Sequence, residues 1–198
     1  MKLELWYPVD SIDISQKFGP ENTFPDLLPK YKSFGLLGHN GWDFTVPKSA
    51  VVRASHDGII TYAGLDGANG NIMVIRTDAQ YDYGEKQSYF KTVYGHLLSF
   101  VAQVNTNVKV GDIIALADNT GWSTGDHLHF GLKPIYSGEQ DWQWFNLEPF
   151  NGYNGAIDPS PYFNGFLAKN KVAVIENLTE QINLYQKVVI LIKQLLHI

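Results

Sequence analysis

The chain is predicted to be mainly β, an antiparallel β-sandwich or partly open barrel with one amphipathic helix at its C-terminus, and three observations lead there. Composition is the first: 18 Gly and 9 Pro alongside 5 Trp, 11 Tyr and 11 Phe give the turn-rich, aromatic-rich balance of β proteins. The second is a series of short alternating segments separated by Gly, Pro and Asp-Gly turns. The third is a change of period near Lys171, where apolar residues begin to recur in steps of three and four. At 198 residues and 44% hydrophobic content, the chain can bury one core and is too short for two large domains. Residues 1–170 are expected to form that domain, and 171–198 an appended helix.

In order along the chain, residues 1–20 hold a strand-like start ending in Lys17-Phe18-Gly19-Pro20, and 21–38 read as a loop punctuated by Pro and Gly. Strands follow at 42–46 and across 50–63, with turns at Pro47 and at His56-Asp57-Gly58, where Asp-Gly is a strong hairpin signal. Residues 71–77 form the next strand, 78–86 a hairpin or loop, and 89–96 its partner. Residues 108–116 then turn at Val110-Gly111-Asp112, and a Gly-flanked loop over 119–126 precedes a strand at 127–133. The stretch 134–170 is rich in Trp, Tyr, Pro and Gly and reads as irregular wrapping; Asp158-Pro159-Ser160-Pro161 resists helix and central strand alike. Beyond it, Ile175, Leu178, Ile182, Tyr185, Val189, Ile192 and Leu196 keep an a/d heptad. Leu184, Val188, Leu191 and Leu195 widen the stripe, so the helix either docks on its own domain or pairs with copies of itself.

Charge and cysteine content narrow the function. A net charge of −5 without a long basic run lacks the electrostatic footprint of a nucleic-acid binder. With no cysteine there is neither a disulfide framework nor a thiolate site, so a metal would have to be held by His and carboxylate. The opening Met-Lys-Leu-Glu-Leu-Trp-Tyr-Pro lacks the features of a signal peptide. The late apolar run 188–198 falls short of the roughly 20 residues that span a bilayer, so no membrane span is expected.

The chemistry concentrates in three places: His39-Asn40-Gly41-Trp42-Asp43, Tyr94-Gly95-His96-Leu97 and His127-Leu128-His129-Phe130. On a strand, residues i and i+2 face one side about 6.6 Å apart. His127 and His129 can thus address one centre, one as ligand and the other as neighbour, while Leu128 and Phe130 enter the core. His39 and Asp43 would stand about 13 Å apart on a straight strand, too far to share a metal with bonds of about 2.0–2.2 Å. A helix would bring them together, but Gly35, Gly38, Gly41 and Pro47 argue against one, so a bend at Gly41 is expected. Two His and one carboxylate leave the fourth position open, as in catalytic zinc sites.

These residues resemble the M23 family of zinc endopeptidases, the lysostaphin and LytM type. Gly38-His39-Asn40-Gly41-Trp42-Asp43-Phe44 is similar to its first motif, Tyr94-Gly95-His96-Leu97 to its second, and the run from Asn119 to Phe130 to its third, the most specific of them. The resemblance covers about residues 15 to 165. It implies a LytM-like fold, Zn2+ held by His39, Asp43 and His129, and His96 and His127 as catalytic histidines. It also implies action on the peptide stems or bridges of peptidoglycan, outside the cytoplasmic membrane. A phage lysin, a virion-associated hydrolase or a processed secreted protein would fit that location. Two departures stand out: Asp126 where a proline is usual, expected to raise the imidazole pKa of His127, and Gly131 where a glutamate is frequent.

The mechanism so implied has a metal-activated water as nucleophile and one of His96 and His127 as proton acceptor, the division between them left open. Tyr94 and Trp122 are candidates to line the peptide groove, and loops 78–86 and 138–150 to shape it. His56 is expected on the surface and His197 at a helix C-terminus, where an imidazolium suits the dipole. A non-catalytic or virion-associated scaffold keeping this fold is the alternative, and loss of a ligand would mark it. A biotinyl- or lipoyl-carrier reading of the segments around 51–64 and 108–119 leaves the histidines unexplained.

Overall fold

The computed structural model describes residues 1–136 and 146–196. In chain order its strands are β1 (Leu5–Tyr7), β2 (Ile14–Gln16), β3 (Trp42–Thr45), β4 (Val51–Arg53), β5 (Gly58–Leu65), β6 (Asn71–Thr77), β7 (Tyr81–Tyr83), β8 (Lys86–Gly95), β9 (Leu97–Phe100), β10 (Asn107–Val108), β11 (Ile113–Ala117), β12 (His127–Ile135) and β13 (Phe163–Leu167). The helices are α1 (Leu28–Ser33) and α2 (Lys171–Leu196). A large antiparallel sheet runs β10-β5-β6-β8-β12-β3-β2, with β7 paired to β8 as a hairpin. A second sheet runs β4-β11-β9, and β1 pairs β13 in parallel. The sheets do not close into a barrel.

The alternation that predicted strands also decides what faces the core. Along β12, Leu128, Phe130 and Leu132 are fully buried, and along β8 so are Phe90, Thr92 and Tyr94. All of these but Thr92 join Phe44, Ile60 and Met73 of the large sheet and Val52, Ile114 and Ala117 of the small one in a single cluster. Each large apolar side chain so buried contributes about 1.5–3 kcal/mol. The opposite face of β12 carries His127, His129, Gly131 and Lys133, so this strand separates a dry core from a polar surface.

Four expectations are corrected. The 21–38 loop contains α1, a helix of 6 residues too short to show periodicity. The 134–170 stretch contains β13, which exists through its partner β1 and stacks Phe163 on Tyr7 at 4.6 Å. His56 is buried rather than on the surface; its Nδ1 lies 2.9 Å from the Asp57 carbonyl and its Nε2 2.9 Å from Thr92 Oγ1. Tyr94 lines no groove: it is 0% exposed, and its hydroxyl accepts a hydrogen bond from the Ser55 N–H at 3.0 Å. His197 and residues 138–145 of the expected groove loop lie outside the described residues.

Beyond the domain, α2 presents apolar side chains to solvent, among them Leu178, Ile182, Tyr185 and Ile190. Among the described residues, no helix is long and apolar enough to cross a membrane.

Candidate metal centre and its cleft

Register assembles the site. β3 and β12 are antiparallel with Asp43 opposite His129 and Thr45 opposite His127, and directly opposed residues hold their side chains within contact range. His39 joins from the preceding segment, where its backbone carbonyl accepts from the Gly19 N–H at 2.9 Å and its own N–H donates to Thr23 Oγ1 at 2.7 Å. The expected bend falls at Gly41, just before β3. A Cβ there would stand 2.5 Å from the Phe130 carbonyl oxygen and 2.7 Å from His129 Cε1, so only glycine lets the chain pass this close to the histidine.

The three expected ligands converge. His39 Nε2 lies 3.1 Å from His129 Nδ1, His39 Nε2 lies 3.1 Å from Asp43 Oδ1, and His129 Nδ1 lies 3.0 Å from the same oxygen. Ligands at about 2.0–2.1 Å around a tetrahedral metal stand about 3.3 Å apart, so this triangle needs little adjustment to hold one ion. The remaining His39 nitrogen, Nδ1, donates to the Lys17 carbonyl at 3.0 Å, which fixes the tautomer leaving Nε2 as the electron-pair donor. Burial alone would raise the Asp43 carboxyl, but the charge of His39 and hydrogen bonds from His129 and His39 outweigh it and hold the group well below the usual carboxylate range. Burial pushes His129 down. An ionised carboxylate at Asp43 and a neutral imidazole at His129 are protonation states that suit a divalent metal.

His96 and His127 flank this triangle, their ring centroids 4.5 Å apart, with His96 6.1 Å from His129. Each has Nδ1 committed to a carbonyl: His96 to Thr120 at 2.6 Å, His127 to Gly125 at 2.8 Å. His127 Nε2 lies 3.7 Å from Asp43 Oδ1, and Ser123 Oγ lies 3.2 Å from its Nδ1; Asp43, not the adjacent Asp126, is the carboxylate paired with this ring. Burial first, then the neighbouring His129 and His127, push His96 down to about 4, so it is neutral at pH 7 with Nε2 as its acceptor. His96 takes φ +58, a left-handed conformation costing a non-glycine residue about 1–3 kcal/mol. Two backbone bonds hold it there, His96 N–H to the Asn69 carbonyl and Asp118 N–H to the His96 carbonyl.

The centre lies in a cleft of about 850 Å3 whose lining includes His96, His127, Tyr31, Phe34, Trp122 and Asp126. Trp122 packs edge-on against Tyr31 at 5.4 Å and Phe34 at 5.7 Å. Its backbone N–H donates to the Ala68 carbonyl at 2.7 Å, beside Gly121, which adopts φ +78 in close backbone contact with Gly70. Sequence reasoning missed Tyr31 and Gln16, whose Nε2 donates to the Tyr31 hydroxyl at 3.1 Å. Burial, followed by the charge of Asp43, pushes the Tyr31 phenol up, keeping it a neutral O–H donor. Nothing local in the α1 sequence announces that role.

Residues 37–142, just over half of the chain, match Peptidase family M23, and the chain belongs to that family. It is 39% identical over 95 residues to the DD-carboxypeptidase/endopeptidase Mpg of Neisseria meningitidis, covering 48% of this chain and 20% of that protein. It is 35% identical over 126 residues to the peptidoglycan DD-endopeptidase ShyB of Vibrio cholerae, covering 63% of this chain and 26% of that one. Among solved structures, a zinc-containing peptidase from Vibrio cholerae aligns with a TM-score of 0.55 and 28% identity over 79% of this chain and 39% of its own. The chain thus spans about a fifth to a quarter of the length of these curated relatives.

Proposed function

We propose that this chain is a zinc-dependent endopeptidase that hydrolyses peptide cross-links of bacterial peptidoglycan, acting in the wall outside the cytoplasmic membrane. The observation that carries the reading is the triangle of His39 Nε2, Asp43 Oδ1 and His129 Nδ1, with sides of 3.0–3.1 Å, on the wall of a cleft of about 850 Å3. When bound there, zinc supplies Lewis-acid polarisation of a carbonyl and lowers the pKa of a water to about 7.

The chain's own residues account for the rest. His96, neutral and with Nδ1–H tied to Thr120, and His127, tied to Gly125 in the same way, each offer Nε2 as an acceptor; the ring that takes the proton can then donate it toward a developing oxyanion or leaving group. Trp122, with Tyr31 and Phe34, forms an aromatic wall against which a peptide can lie. The relatives named as DD-endopeptidases favour a D,D peptide bond over a glycyl bond. All five positions of the resemblance are filled, which weighs against a scaffold that has lost the metal.

Zinc content and muropeptide release from purified walls, compared between the native chain and His129→Ala, test this directly. Stoichiometric zinc and new amine ends, both lost in the variant, are expected; a chain that binds no zinc overturns the reading.

For residues 171–198 we propose a separate role as a pairing helix. Among the described side chains from Leu178 to Ile190, all but Val189 are exposed, more apolar surface than a lone helix leaves in water. Sedimentation of the native chain as a monomer would refute it.

A further inference from the structure

A single loop orients both histidines that flank the metal triangle. Residues 119–126 leave and return through one antiparallel bridge between Asp118 and His127, in which the His127 N–H donates to the Asp118 carbonyl at 3.2 Å. Asp118 also donates its own N–H to the His96 carbonyl at 3.0 Å, so the base of the loop is tied to the backbone of both histidines. Within the loop, the Thr120 carbonyl lies 2.6 Å from His96 Nδ1 and the Gly125 carbonyl 2.8 Å from His127 Nδ1. A backbone carbonyl can only accept, so each neutral ring carries its proton on Nδ1 and presents a bare Nε2.

A carbonyl on a free loop can turn away, and here each one is held by a hydroxyl. Thr120 Oγ1 donates to the Leu97 carbonyl at 2.9 Å and accepts from the Asn71 N–H at 3.1 Å, which ties residue 120 to the first residues of β9 and β6. Leu97 directly follows His96, so the ring and the carbonyl it bonds are anchored at the same point of the chain. Ser123 Oγ donates to the Gly125 carbonyl at 2.7 Å and accepts from the Gly125 N–H at 3.3 Å, closing a turn around the carbonyl that His127 uses. Ser123 Oγ also lies 3.2 Å from His127 Nδ1, the spacing of a serine nucleophile and its base. That role is excluded by the carbonyl: a bare Nδ1 would set its lone pair against the Gly125 oxygen at 2.8 Å, and a protonated one has no lone pair left to take the serine proton.

We infer that Thr120 and Ser123 are positioning residues of this site: acting through the carbonyls of Thr120 and Gly125, their hydroxyls hold His96 and His127 in the Nδ1–H tautomer, so that both rings meet the cleft with Nε2 free to accept a proton. Without its hydroxyl each carbonyl can turn to solvent, and a neutral imidazole that loses its partner exchanges its proton between the two nitrogens. The catalytic consequence rests on the endopeptidase reading; the tautomers do not.

The test combines ring-nitrogen NMR with steady-state kinetics on the full chain with zinc added. In protein carrying isotope-labelled histidine, protonated and bare ring nitrogens resonate far apart, and at mildly alkaline pH both His96 and His127 are expected as Nδ1–H. Thr120→Val, close in shape but without the hydroxyl, should give His96 a mixture of tautomers while His127 keeps its native signals; Ser123→Ala should do the reverse. On a wall-type peptide dimer joined by a D-alanyl bond, each variant should lose about 10-fold or more in kcat, the lower end of the cost of removing a group that orients a functional imidazole, with KM within about 2-fold of native. Thr120→Ser and Ser123→Thr restore a hydroxyl and should recover the native ring signals and most of kcat. The native tautomers are read without any variant, so a substitution that fails to fold does not remove the test. An Nε2–H form of either ring in the native chain, native His96 signals in Thr120→Val, native His127 signals in Ser123→Ala, or losses of kcat that the conservative variants do not recover would each overturn the positioning roles. If the rings respond as expected and the native chain cuts no wall peptide, the endopeptidase reading fails and the positioning roles stand.

Discussion

Gly41→Ala tests how closely the metal centre depends on one missing methyl group. The new Cβ would lie 2.7 Å from His129 Cε1 and 2.5 Å from the Phe130 carbonyl oxygen, whereas carbon atoms in contact prefer about 3.5–4.0 Å. Something must therefore move by about 1 Å. The carbonyl belongs to β12, whose inner face is locked by fully buried Leu128 and Phe130, so the His129 ring and the Gly41 bend absorb most of the shift. Overpacking of this kind costs about 1–3 kcal/mol, which lowers the thermal midpoint of a domain this size by about 2–12 °C. The larger effect is chemical, because a misplacement of about 1 Å near reacting groups costs roughly 100-fold in rate. Chelator-competition titration of zinc, wall cleavage and thermal unfolding, all on the same preparation, read out the three consequences. Gly131→Ala, two residues beyond His129 on the same strand face and with 3.6 Å of room, should leave zinc affinity at the native level. If Gly41→Ala folds with zinc affinity and cleavage within about 3-fold of native, the close-approach argument is wrong.

Removing zinc with a chelator should abolish cleavage and lower the thermal midpoint; with zinc at about 100 times its Kd the stabilisation lost is about 2.7 kcal/mol, or about 5–10 °C, and an unchanged midpoint would mean that the triangle holds no ion. Burial holds the folded pKa of His56 below its ordinary 6.5, so below pH 6.5 the unfolded chain binds the extra proton. Its contribution to stability is full above that pH and declines as the pH falls through the folded value. His56→Gln should therefore flatten the pH dependence of denaturant unfolding below 6.5, and an unaltered profile would locate the acid sensitivity elsewhere. Trp122→Ala removes two aromatic contacts of about 0.5–1.5 kcal/mol each from the cleft wall and should raise KM by about 3–10-fold with a smaller change in kcat, in steady-state assays on a defined wall peptide; a fall in kcat alone would move Trp122 from substrate binding to the chemistry.

Much of this arrangement was legible in the sequence, and the parts that were not share a physical cause. The pair His39 and Asp43 and the pair His127 and His129 each sit in one short motif, so the bend at Gly41 and the shared face of His127 and His129 followed from local geometry. The misplaced residues are those whose environment is set by a distant partner. β13 forms only against β1, more than 150 residues away in the chain. His56 reads as a turn residue beside Asp57-Gly58, yet it is buried because β8 brings Thr92 to its Nε2. Tyr31 becomes part of the cleft because α1 folds back onto Trp122. Hydrophobic pattern states which residues share a face, but not what covers that face.

Tyr94 and His96 show the limit of the pattern most sharply. Two residues apart at the end of one strand, they would point the same way if the alternation held. In the structure Tyr94 lies in the core, opposite Met73 and Phe130, while His96 lines the cleft. The alternation breaks because β8 ends at Gly95 and His96 turns left-handed before β9 begins. Had the strand continued, the His96 imidazole would have entered the apolar layer beneath the sheet. The strained φ of His96 thus carries it across the sheet to the metal side, and the carbonyls of Asn69 and Thr120 that hold it belong to the same two loops that position Trp122. Backbone strain, metal neighbour and aromatic wall are one construction, held in place by the packing of the Gly70 and Gly121 backbones against each other.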